Sequence, residues 1–490
     1  MKHTLIAATM LLILAPLLHA ADWPTYNHDN RRSAATDEPV DLPLAGVWRF
    51  ESPMPPQPAW PDPAKNDYFH KLYNLRSTVA FDRAFALVGV GRRLYFGSNA
   101  DNKLYCLDAD SGAVVWTFFT NAPIRLAPAV VAGRVYAASD DGYLYALDAH
   151  SGRLLWKYTA DENARLIPGN GRLISSLPIR CGLVVDGDTL YLGAGLFPTQ
   201  GAFLVALDAA SGQVKQKQPV AVSPQGYMLA SDNALYVPTG RTAPVMFTRD
   251  RLDARGEFKS PGGAYAILID DVLVTGPGRG KKEIAVGDAA TRDTIATFGG
   301  LRMVVAGSVA YMQSEASISA FDRSRYLELS RRRNPLAEQI DQLNKQIKAK
   351  PDDPALKTQL DTASRTVAQI DAERKACYLW TVDCNAAMSL ILAGDTLFAG
   401  GDGLVLALDT RTGRTVCEMP VKGKAHHLAA FNRSLFVSTD TGCIYRFAGS
   451  DRVDGVSPLR STGILPVHKK PVAEGDSTES PFARSYSQAA

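Results

Sequence analysis

The chain has 490 residues, with 53 lysines and arginines against 50 aspartates and glutamates, and a formal net charge of +3. Hydrophobic residues make up 46% and charged residues 21% of the chain, proportions typical of a folded globular protein, which exclude disorder throughout. The nearly neutral balance gives no reason to expect nucleic acid or an anionic membrane as the main partner.

The first segment predicts export. Lys2 precedes an apolar run from Leu5 to Leu18, and small residues follow at Ala20–Ala21. A basic start, a short apolar run and a small residue at the break are typical of a secretory signal peptide. A retained anchor is the alternative, but the run is shorter than the roughly 20 apolar residues of a spanning helix. We therefore predict a cleaved signal peptide over residues 1–20, no lipid-bearing cysteine, no transmembrane segment, and a periplasmic or secreted protein.

Residues 46–50 resemble a strand that recurs in the repeated units described below. We expect this strand to close the ring that those units form. Gly46–Phe50 matches the strands that carry tryptophan in the later repeats, whereas the last repeat ends after Phe447 without such a strand. If Gly46–Phe50 pairs with the last repeat, it removes the open sheet edge that would otherwise remain there. The sequence thus predicts that the two ends of the repeat region share one sheet.

A repeated unit organises residues 21–450. The strings LYCLDADSGAVVW and LYALDAHSGRLLW place Asp108 and Asp148 40 residues apart. Six further copies, of varying similarity, end the same strand pattern at Asp208, Asp250, Asp288, Asp322, Asp409 and Phe447. Eight units of about 44 residues predict an all-β fold, an eight-bladed β-propeller of four-stranded antiparallel blades. Seven blades remain the alternative, because units four to six are degenerate.

Each unit contains residues suited to one part of a blade. Segments such as Leu104–Leu107 are short and apolar, as strands buried between neighbouring blades should be. The D-x-x-S/T-G that follows supplies side-chain acceptors for backbone amides and a glycine for positive φ, which predicts a tight hairpin. The tryptophan after the hairpin, as at Trp116 and Trp156, can fill the gap between blades.

Residues 323–377 interrupt the sixth unit. Apolar residues recur there at spacings of four and three in two stretches, separated by Lys350–Pro354, which no helix would run through. The two stripes consist of Leu336, Ile340, Leu343 and Ile347, and of Leu356, Leu360, Ala363, Val367 and Ile370. The pattern predicts an inserted α-helical coiled-coil hairpin, antiparallel and roughly 35 Å long. A tolerated insertion and an arm that docks a protein partner are both open interpretations.

The cysteines and the C-terminal tail complete the pattern. The six cysteines include no C-x-x-C and no adjacent pair, which excludes metal-knuckle and c-type haem motifs. Their even number would allow disulfide pairing after export, but Cys106 and Cys417 lie within apolar strand patterns, which favours core residues. Residues 451–490 are rich in Ser, Pro, Gly and charge without a periodic apolar pattern. We predict that this tail is disordered.

The repeat strings resemble the PQQ-like repeats of quinoprotein alcohol dehydrogenases and of BamB-type outer-membrane assembly propellers. The segment Asp22–Tyr26, with Arg32–Ser33 after it, is also similar to the start of such proteins. The resemblance covers most of residues 22–447. It implies a propeller and, for the dehydrogenases, the cofactor PQQ with Ca²⁺, a catalytic Asp, Glu and Asn ligands and often adjacent cysteines.

The sequence favours a propeller without catalytic activity. The adjacent cysteines are missing, and no aspartate motif matches the catalytic one. We therefore expect an exported non-catalytic scaffold that binds other proteins, similar to BamB, with no cofactor and with no catalytic or metal-binding residue. The alternative is a PQQ-dependent dehydrogenase whose ligands for PQQ and Ca²⁺ have diverged. A carbohydrate-binding or lyase propeller is a third class, which nothing in the sequence marks.

One set of polar residues is a candidate ligand site. In a propeller, the loops from each outer strand to the next inner strand meet around one mouth of the central channel. These loops carry Asn121, Arg125, Arg165, Arg180, Asn385 and His427. Convergent guanidinium groups predict a site for an anionic ligand or a carboxylate-rich partner, and pairing of the arginines with nearby acids is the alternative. His426, next to His427 on a strand, is expected to point to the opposite face.

Overall fold

The structure, a computed structural model, describes residues 21–60, 79–452 and 460–462, except residues 170, 241, 261, 264, 271 and 278–281. The predicted signal peptide, residues 1–20, and most of the predicted tail lie outside the described residues. No helix within the described part is long and apolar enough to cross a membrane.

The described strands form groups of four antiparallel strands, which we number in chain order. Group 1 contains Val88–Val90, Arg93–Gly97, Lys103–Asp108 and Val114–Phe119. Group 2 contains Ala129–Val131, Arg134–Ala138, Tyr143–Asp148 and Leu154–Thr159. Group 3 contains Val184–Asp186, Thr189–Ala194, Phe203–Asp208 and Val214–Pro219. Group 4 contains Leu229–Ala230, Ala234–Val237, Val245–Thr248 and Ala254–Glu257.

The remaining groups follow the same order. Group 5 contains Tyr265–Ile269, Val272–Gly276, Glu283–Asp288 and Thr294–Gly299. Group 6 contains Arg302–Ala306, Val309–Gln313, Ser317–Asp322 and Tyr378–Asp383. Group 7 contains Ser389–Ala393, Thr396–Gly400, Asp402–Asp409 and the first part of the long strand Thr415–Phe431. Group 8 contains the second part of that strand, Ser434–Thr439, Cys443–Gly449 and Leu44–Glu51.

Several short elements lie outside these groups. A hairpin, Leu166–Gly169 with Arg172–Ser175, follows group 2. Cys181–Gly182 pairs in parallel with Gly226–Tyr227, which links the entries to groups 3 and 4. Single turns of 3₁₀ helix and two further short strands lie at Pro198–Gln200, Ser450–Arg452, Ala35–Thr36 and Arg460–Thr462.

The first strands of the groups form a closed ring, as the sequence predicts. The first strand of group 1 contacts that of group 2, and such contacts continue around the ring, with the Cys181–Gly182 pairing between groups 3 and 4. The inner strand of group 8 contacts that of group 1. The first strands therefore surround a central channel, and their free edges face it.

The strand Leu44–Glu51 closes the ring as predicted. It pairs antiparallel with Cys443–Gly449, so that the N-terminal strand is the outer strand of the last group. Within residues 451–490, predicted to be disordered, the structure places Asp451–Arg452 in a 3₁₀ turn and pairs Arg460–Thr462 in parallel with Trp48–Phe50. The reason is that Leu44–Glu51 still has one free edge, which can hydrogen bond to another strand.

The predicted tryptophans lie between neighbouring groups. In each case the indole Nε1 donates to a carbonyl oxygen in the next hairpin, at 2.9–3.2 Å: Trp48 to Ala109, Trp116 to Ala149, Trp156 to Ala210 and Trp380 to Thr410. Gln216, which takes the tryptophan position in unit three, donates to the carbonyl of Arg251 in the same way. One side chain at the same repeat position thus joins each of these groups to the next.

The D-x-x-S/T-G segments form the predicted hairpins. Asp148 Oδ1 accepts hydrogen bonds from the backbone N–H and the hydroxyl of Ser151, at 2.8 and 2.6 Å. Gly152 follows with φ of 71°, and the six-membered ring of Trp116 lies against its α-carbon, where an added Cβ would be 2.6 Å from the indole. The glycine is therefore required both by the turn and by the tryptophan that packs on it.

Residues 22–36, which we call the channel segment, lie against the free edges of the first strands. Trp23 exchanges two backbone hydrogen bonds with Gly89, at 2.7 and 2.9 Å, and Ala35–Thr36 pairs in parallel with Leu392–Ala393. Between these ends, the segment hydrogen bonds to the first strands of groups 2 to 5 through Val130, Val185, Ala230 and Leu268. Inner-edge backbone groups that would lack partners are satisfied in this way.

Two helices occupy the interruption of group 6. Helix α1, Arg323–Ala349, begins directly after the third strand, where Asp322 accepts a hydrogen bond from the backbone N–H of Arg325. Helix α2, Pro354–Ala376, begins at the N-cap Asp353 and leads into the fourth strand. Within the predicted stripes, Leu343, Ala363 and Ile370 are buried and the other members are half-buried. The apolar stripes are therefore shielded from water, fully at these three residues and partly at the others.

Candidate functional site

A cavity of about 70 Å³ lies in the channel beside the channel segment. Its polar lining comes from the channel segment, from the residues before group 1 and from the first strands of groups 5 to 8. The polar residues are Tyr26, Asn27, Arg83, Tyr265, Arg302, Ser389, His426 and His427. Among the described residues, no aspartate or glutamate lines the cavity. The described lining therefore contains two guanidinium groups and no carboxylate.

The two histidines line the same cavity, contrary to the expectation that they point to opposite faces. The pairing of the inner strand of group 8 shifts register between Ala425 and His427, so that a β-bulge at His426 breaks the alternation of side chains. Burial, together with the positive charges of Arg83, Arg302 and Lys424, lowers the pKa of His426 to about 3. Both residues thus line the cavity, and both imidazoles are neutral near pH 7.

Burial keeps the imidazole of His427 neutral, and a backbone hydrogen bond fixes its tautomer. Burial lowers the pKa of its imidazole to about 3, and the side chain is 7% exposed. The backbone N–H of Leu87 donates to Nδ1 at 3.2 Å, so that the proton of the neutral ring is on Nε2. This Nε2–H is buried and has no hydrogen-bond partner among the described residues.

Arg302 brings a cation to the cavity from the first strand of group 6. Its Nη1 donates to Gln313 Oε1 at 3.1 Å and to the carbonyl of Ala387 at 3.0 Å. Both acceptors are neutral, and no carboxylate pairs with Arg302 in the described part of the chain. Burial lowers the pKa of the guanidinium below its ordinary value.

Two of the predicted site arginines are held in a buried ion-pair network. Arg125 Nε lies 2.6 Å from Asp140 Oδ2, and its Nη1 lies 2.8 Å from Asp82 Oδ2. Arg180 binds the same Asp140 through two hydrogen bonds, of 2.8 and 2.9 Å. Burial opposes ionisation of Asp140, but Arg180 and Arg125 hold its pKa below the ordinary value. Arg125 and Arg180 thus pair with acids, which is the alternative that the sequence left open.

The predicted site residues thus do not form one cluster in the structure. Arg125 and Arg180 share the ion-pair network, and His427 lines the cavity. Arg165, Asn121 and Asn385 are exposed. The repeat pattern predicted which residues lie in loops near the channel. It did not indicate which of these residues form ion pairs with acids.

Sequence reasoning missed Arg83, Arg302 and the role of His426. Arg302 lies at the start of a strand in a degenerate unit, where no repeated residue marks it, and the bulge at His426 has no signal in the residue pattern. The buried Asp82 and Asp140 were also missed, because single aspartates in loops are common. A loop aspartate becomes a partner only when the ring brings groups 1, 2 and 3 together.

The described residues contain no group of three or more His, Cys, Asp or Glu side chains that could hold a metal ion. All six cysteines lie in the described part and none forms a disulfide. Five of them are buried, and Cys417 is half-buried. Cys106 is thus a core residue, as its apolar strand predicted, whereas Cys417 is only partly covered.

Comparison with known proteins gives a consistent result for the repeats. The family model described as outer membrane protein assembly factor BamB matches residues 46–255. No curated protein matches the chain. The matched residues contain units one to three, in which the repeat strings are clearest.

Solved structures show the same fold at low sequence identity. The quinohemoprotein alcohol dehydrogenase from Comamonas testosteroni is 14% identical, with a TM-score of 0.58 over 91% of this chain and 82% of that one. The quinohemoprotein alcohol dehydrogenase from Pseudomonas putida HK5 is 12% identical, with a TM-score of 0.54 over 93% and 84%. A europium-containing methanol dehydrogenase is 11% identical, with a TM-score of 0.53 over 87% and 98%. At these identities, the likeness concerns the fold alone.

Proposed function

Because this chain is a propeller of the PQQ-like repeat family, we propose that it is an exported, non-catalytic scaffold that binds other proteins. The family model that matches its repeats is that of an outer-membrane assembly factor, which supports a role in the cell envelope. Export follows from the signal peptide pattern of residues 1–20. The proposal includes eight blades, one for each four-stranded group, with groups 7 and 8 joined by the long strand Thr415–Phe431.

The observation that carries the proposal is the content of the channel. The channel segment pairs with the first strands of most groups, and the cavity left beside it measures about 70 Å³. Pockets for cofactors and other organic ligands are usually roughly 300–1,000 Å³. Within the described residues, the channel segment thus occupies part of the space between the first strands, and this cavity is too small for such a ligand, which favours function on the outer surface.

The residues in the cavity also do not fit PQQ with Ca²⁺. A calcium ion requires six to eight oxygen ligands, with carboxylates among them. The cavity lining instead contains Arg83 and Arg302 and, within the described residues, no carboxylate. Two buried carboxylates are already ion-paired. Asp82 pairs with Arg125, and Asp140 pairs with both Arg125 and Arg180. The alternative of a PQQ-dependent dehydrogenase therefore has no support from this donor set.

We assign partner binding to the helical hairpin, residues 323–377, as an antiparallel coiled-coil arm. Its base is fixed to the propeller, because Tyr326 and Leu327 pack in the core with Phe298 and Phe321. Ion pairs between the start of α1 and the end of α2, such as Arg333 with Asp371 at 2.7 Å, support the antiparallel arrangement. A rigid base and a long free end suit a docking element.

The outer surface of the arm is polar. Beyond Asn334, which donates to the carbonyl of Ile295, the apolar residues of α1 lie in the stripe that the helices share. Exposed positions further along carry both charges, as at Asp341, Lys345 and Arg365. A partner would therefore be recognised by charge and hydrogen bonding, with weak dependence on apolar area.

A photo-crosslinking residue at Lys345 tests the arm directly. Lys345 is exposed on the distal part of α1, and Arg153, exposed in a hairpin of group 2, is the matched control position. We expect a defined crosslinked product with an envelope protein from position 345 and not from position 153. The product should disappear when residues 338–366 are replaced by a short linker, which spares the buried base. Identical products from both positions would contradict the proposal.

A further inference from the structure

The residue that follows the predicted signal peptide is held in place beside group 1. Trp23 is fully buried and exchanges two backbone hydrogen bonds with the first strand of that group. Asp22 Oδ1 accepts a hydrogen bond from the backbone N–H of Gly91 at 2.8 Å. The position of Ala21 is therefore fixed by its neighbours, and cleavage of the signal peptide would make Ala21 the first residue of the chain.

The carboxylate of Glu38 lies beside the backbone nitrogen of Ala21. Burial raises the pKa of this carboxyl above its ordinary value, although the backbone amides of Arg433, Ala21 and Asn432 and the charge of Arg433 act in the opposite direction. The backbone N–H of Arg433 donates to Oε1 at 2.9 Å. Oε2 is buried and has no hydrogen-bond partner among the described residues. One oxygen of Glu38 thus lacks the partner that a buried anion requires.

The neighbouring cation does not supply that partner. The guanidinium of Arg433 is directed at Asp41, with Nε 2.9 Å from Oδ2, and only its backbone N–H is bonded to Glu38. Asn432 and Arg433 form the turn between the first two strands of group 8. The incomplete carboxylate therefore lies between the start of the chain and the group that closes the ring.

We propose that signal peptide cleavage completes this site, because the new α-ammonium group of Ala21 forms an ion pair with Glu38. A peptidase hydrolyses the amide between Ala20 and Ala21, and water supplies the hydroxyl of the new carboxyl group and a hydrogen of the new amine. The amine takes up a further proton near neutral pH. The Ala21 nitrogen, which has one N–H of fixed direction in the uncleaved chain, then has a positive charge and three donors that rotate toward Oε2.

The ion pair gives a defined dependence on pH. Ala21 is half-buried, so that an ammonium group there keeps part of its contact with water and its desolvation cost is limited. Glu38 raises the α-amino pKa in the folded chain, and the other charged groups nearby are Asp22, Asp41 and Arg433. The added stability is complete below the ordinary α-amino pKa and is lost as the pH rises through the raised value.

The first measurement compares two forms of the mature chain, residues 21–490. One form begins at Ala21, released from a fusion by a protease that leaves no extra residue. The other has a Gly-Ser extension, which restores a peptide bond at Ala21. We expect a higher urea midpoint for the free form at about pH 6.5, and no difference at about pH 10.5, where the amine is neutral.

The second measurement reads the α-amino pKa from the pH profile of its labelling with isotopic acetic anhydride, quantified on the N-terminal peptide. Accessibility scales the labelling rate equally at every pH, so that the midpoint of the profile reports the charge environment. We expect this midpoint to lie about one pH unit higher in the folded chain than in the chain unfolded in urea.

Two variants assign the effect to Glu38. Glu38→Gln should abolish the difference between the two forms, whereas Asp37→Asn, which changes an exposed neighbour, should retain it. If Glu38→Gln does not fold, the labelling profile of the wild-type chain decides. Equal midpoints in the folded and unfolded chain, or a difference that persists in Glu38→Gln, would overturn the ion pair.

This inference rests on the export in the proposed function, and N-terminal sequencing of the exported protein tests that part separately. We expect a chain that begins at Ala21. A different first residue would overturn the maturation step even if the ion pair forms in the recombinant chain. An ordinary α-amino pKa in a chain that begins at Ala21 would overturn the ion pair and leave export and partner binding unaffected.

Discussion

Asp140 is the residue on which two buried arginines depend. Its carboxylate is 1% exposed and accepts hydrogen bonds from Arg125, which comes from the loop after group 1, and from Arg180, which precedes group 3. Asp140 itself follows the second strand of group 2. One carboxylate thus joins three successive groups. Removing it leaves the buried Arg180 without its carboxylate and leaves Arg125 with Asp82 alone.

We predict that Asp140→Ala lowers the free energy of unfolding by about 3–5 kcal/mol, because breaking a buried ion pair leaves uncompensated charge. Urea denaturation measures the change. Asp161→Ala is the matched control, since Asp161 is exposed, and it should change the free energy by less than about 0.5 kcal/mol. Equal values for the two variants would show that the network contributes no net stability.

At the scale of the element, the hairpin glycine and the tryptophan of the preceding group act as a pair. The positive φ of Gly152 would be strained for any other residue, and its α-carbon also lies under Trp116. Gly133 offers a comparison, because its φ is 73° and an added Cβ would meet nothing within 4 Å. The two positions differ in packing but not in backbone conformation.

Gly133→Ala should therefore cost about 1–2 kcal/mol, the strain of a left-handed conformation alone. Gly152→Ala should cost about 1–3 kcal/mol more, because its methyl group displaces the indole and strains the hydrogen bond to Ala149. The difference between their free energies of unfolding, measured by urea denaturation, isolates the contact between groups. A difference near zero would mean that the tryptophan contributes little to blade packing.

The repeated elements were predictable because their causes are local. The turn at Asp148–Gly152, the tryptophans and the strand Leu44–Glu51 each follow from residue types at fixed spacing. The partners of Arg125, the bulge at His426 and the position of Arg302 could not be predicted in this way. They depend on which groups meet across the channel, and the repeat pattern gives no distances between groups.

At the scale of the whole molecule, the channel segment lies inside the ring and contacts the inner edges of its strands. Arg32 shows how firmly it is held: the side chain is fully buried and donates to the carbonyls of Met228 and Leu183, at 3.0 and 2.7 Å. These two residues directly precede the first strands of groups 4 and 3. The N-terminal residues therefore stabilise the ring from inside as well as closing it from outside through Leu44–Glu51.

The central claim is that this propeller acts by binding proteins and holds no quinone cofactor. The most direct measurement is a titration of the purified mature chain with PQQ in the presence of Ca²⁺, followed by tryptophan fluorescence and by dye-linked alcohol oxidation. A quinoprotein dehydrogenase serves as the positive control. The account predicts no saturable change in fluorescence and no dye reduction, whereas saturable binding together with alcohol-dependent dye reduction would contradict it.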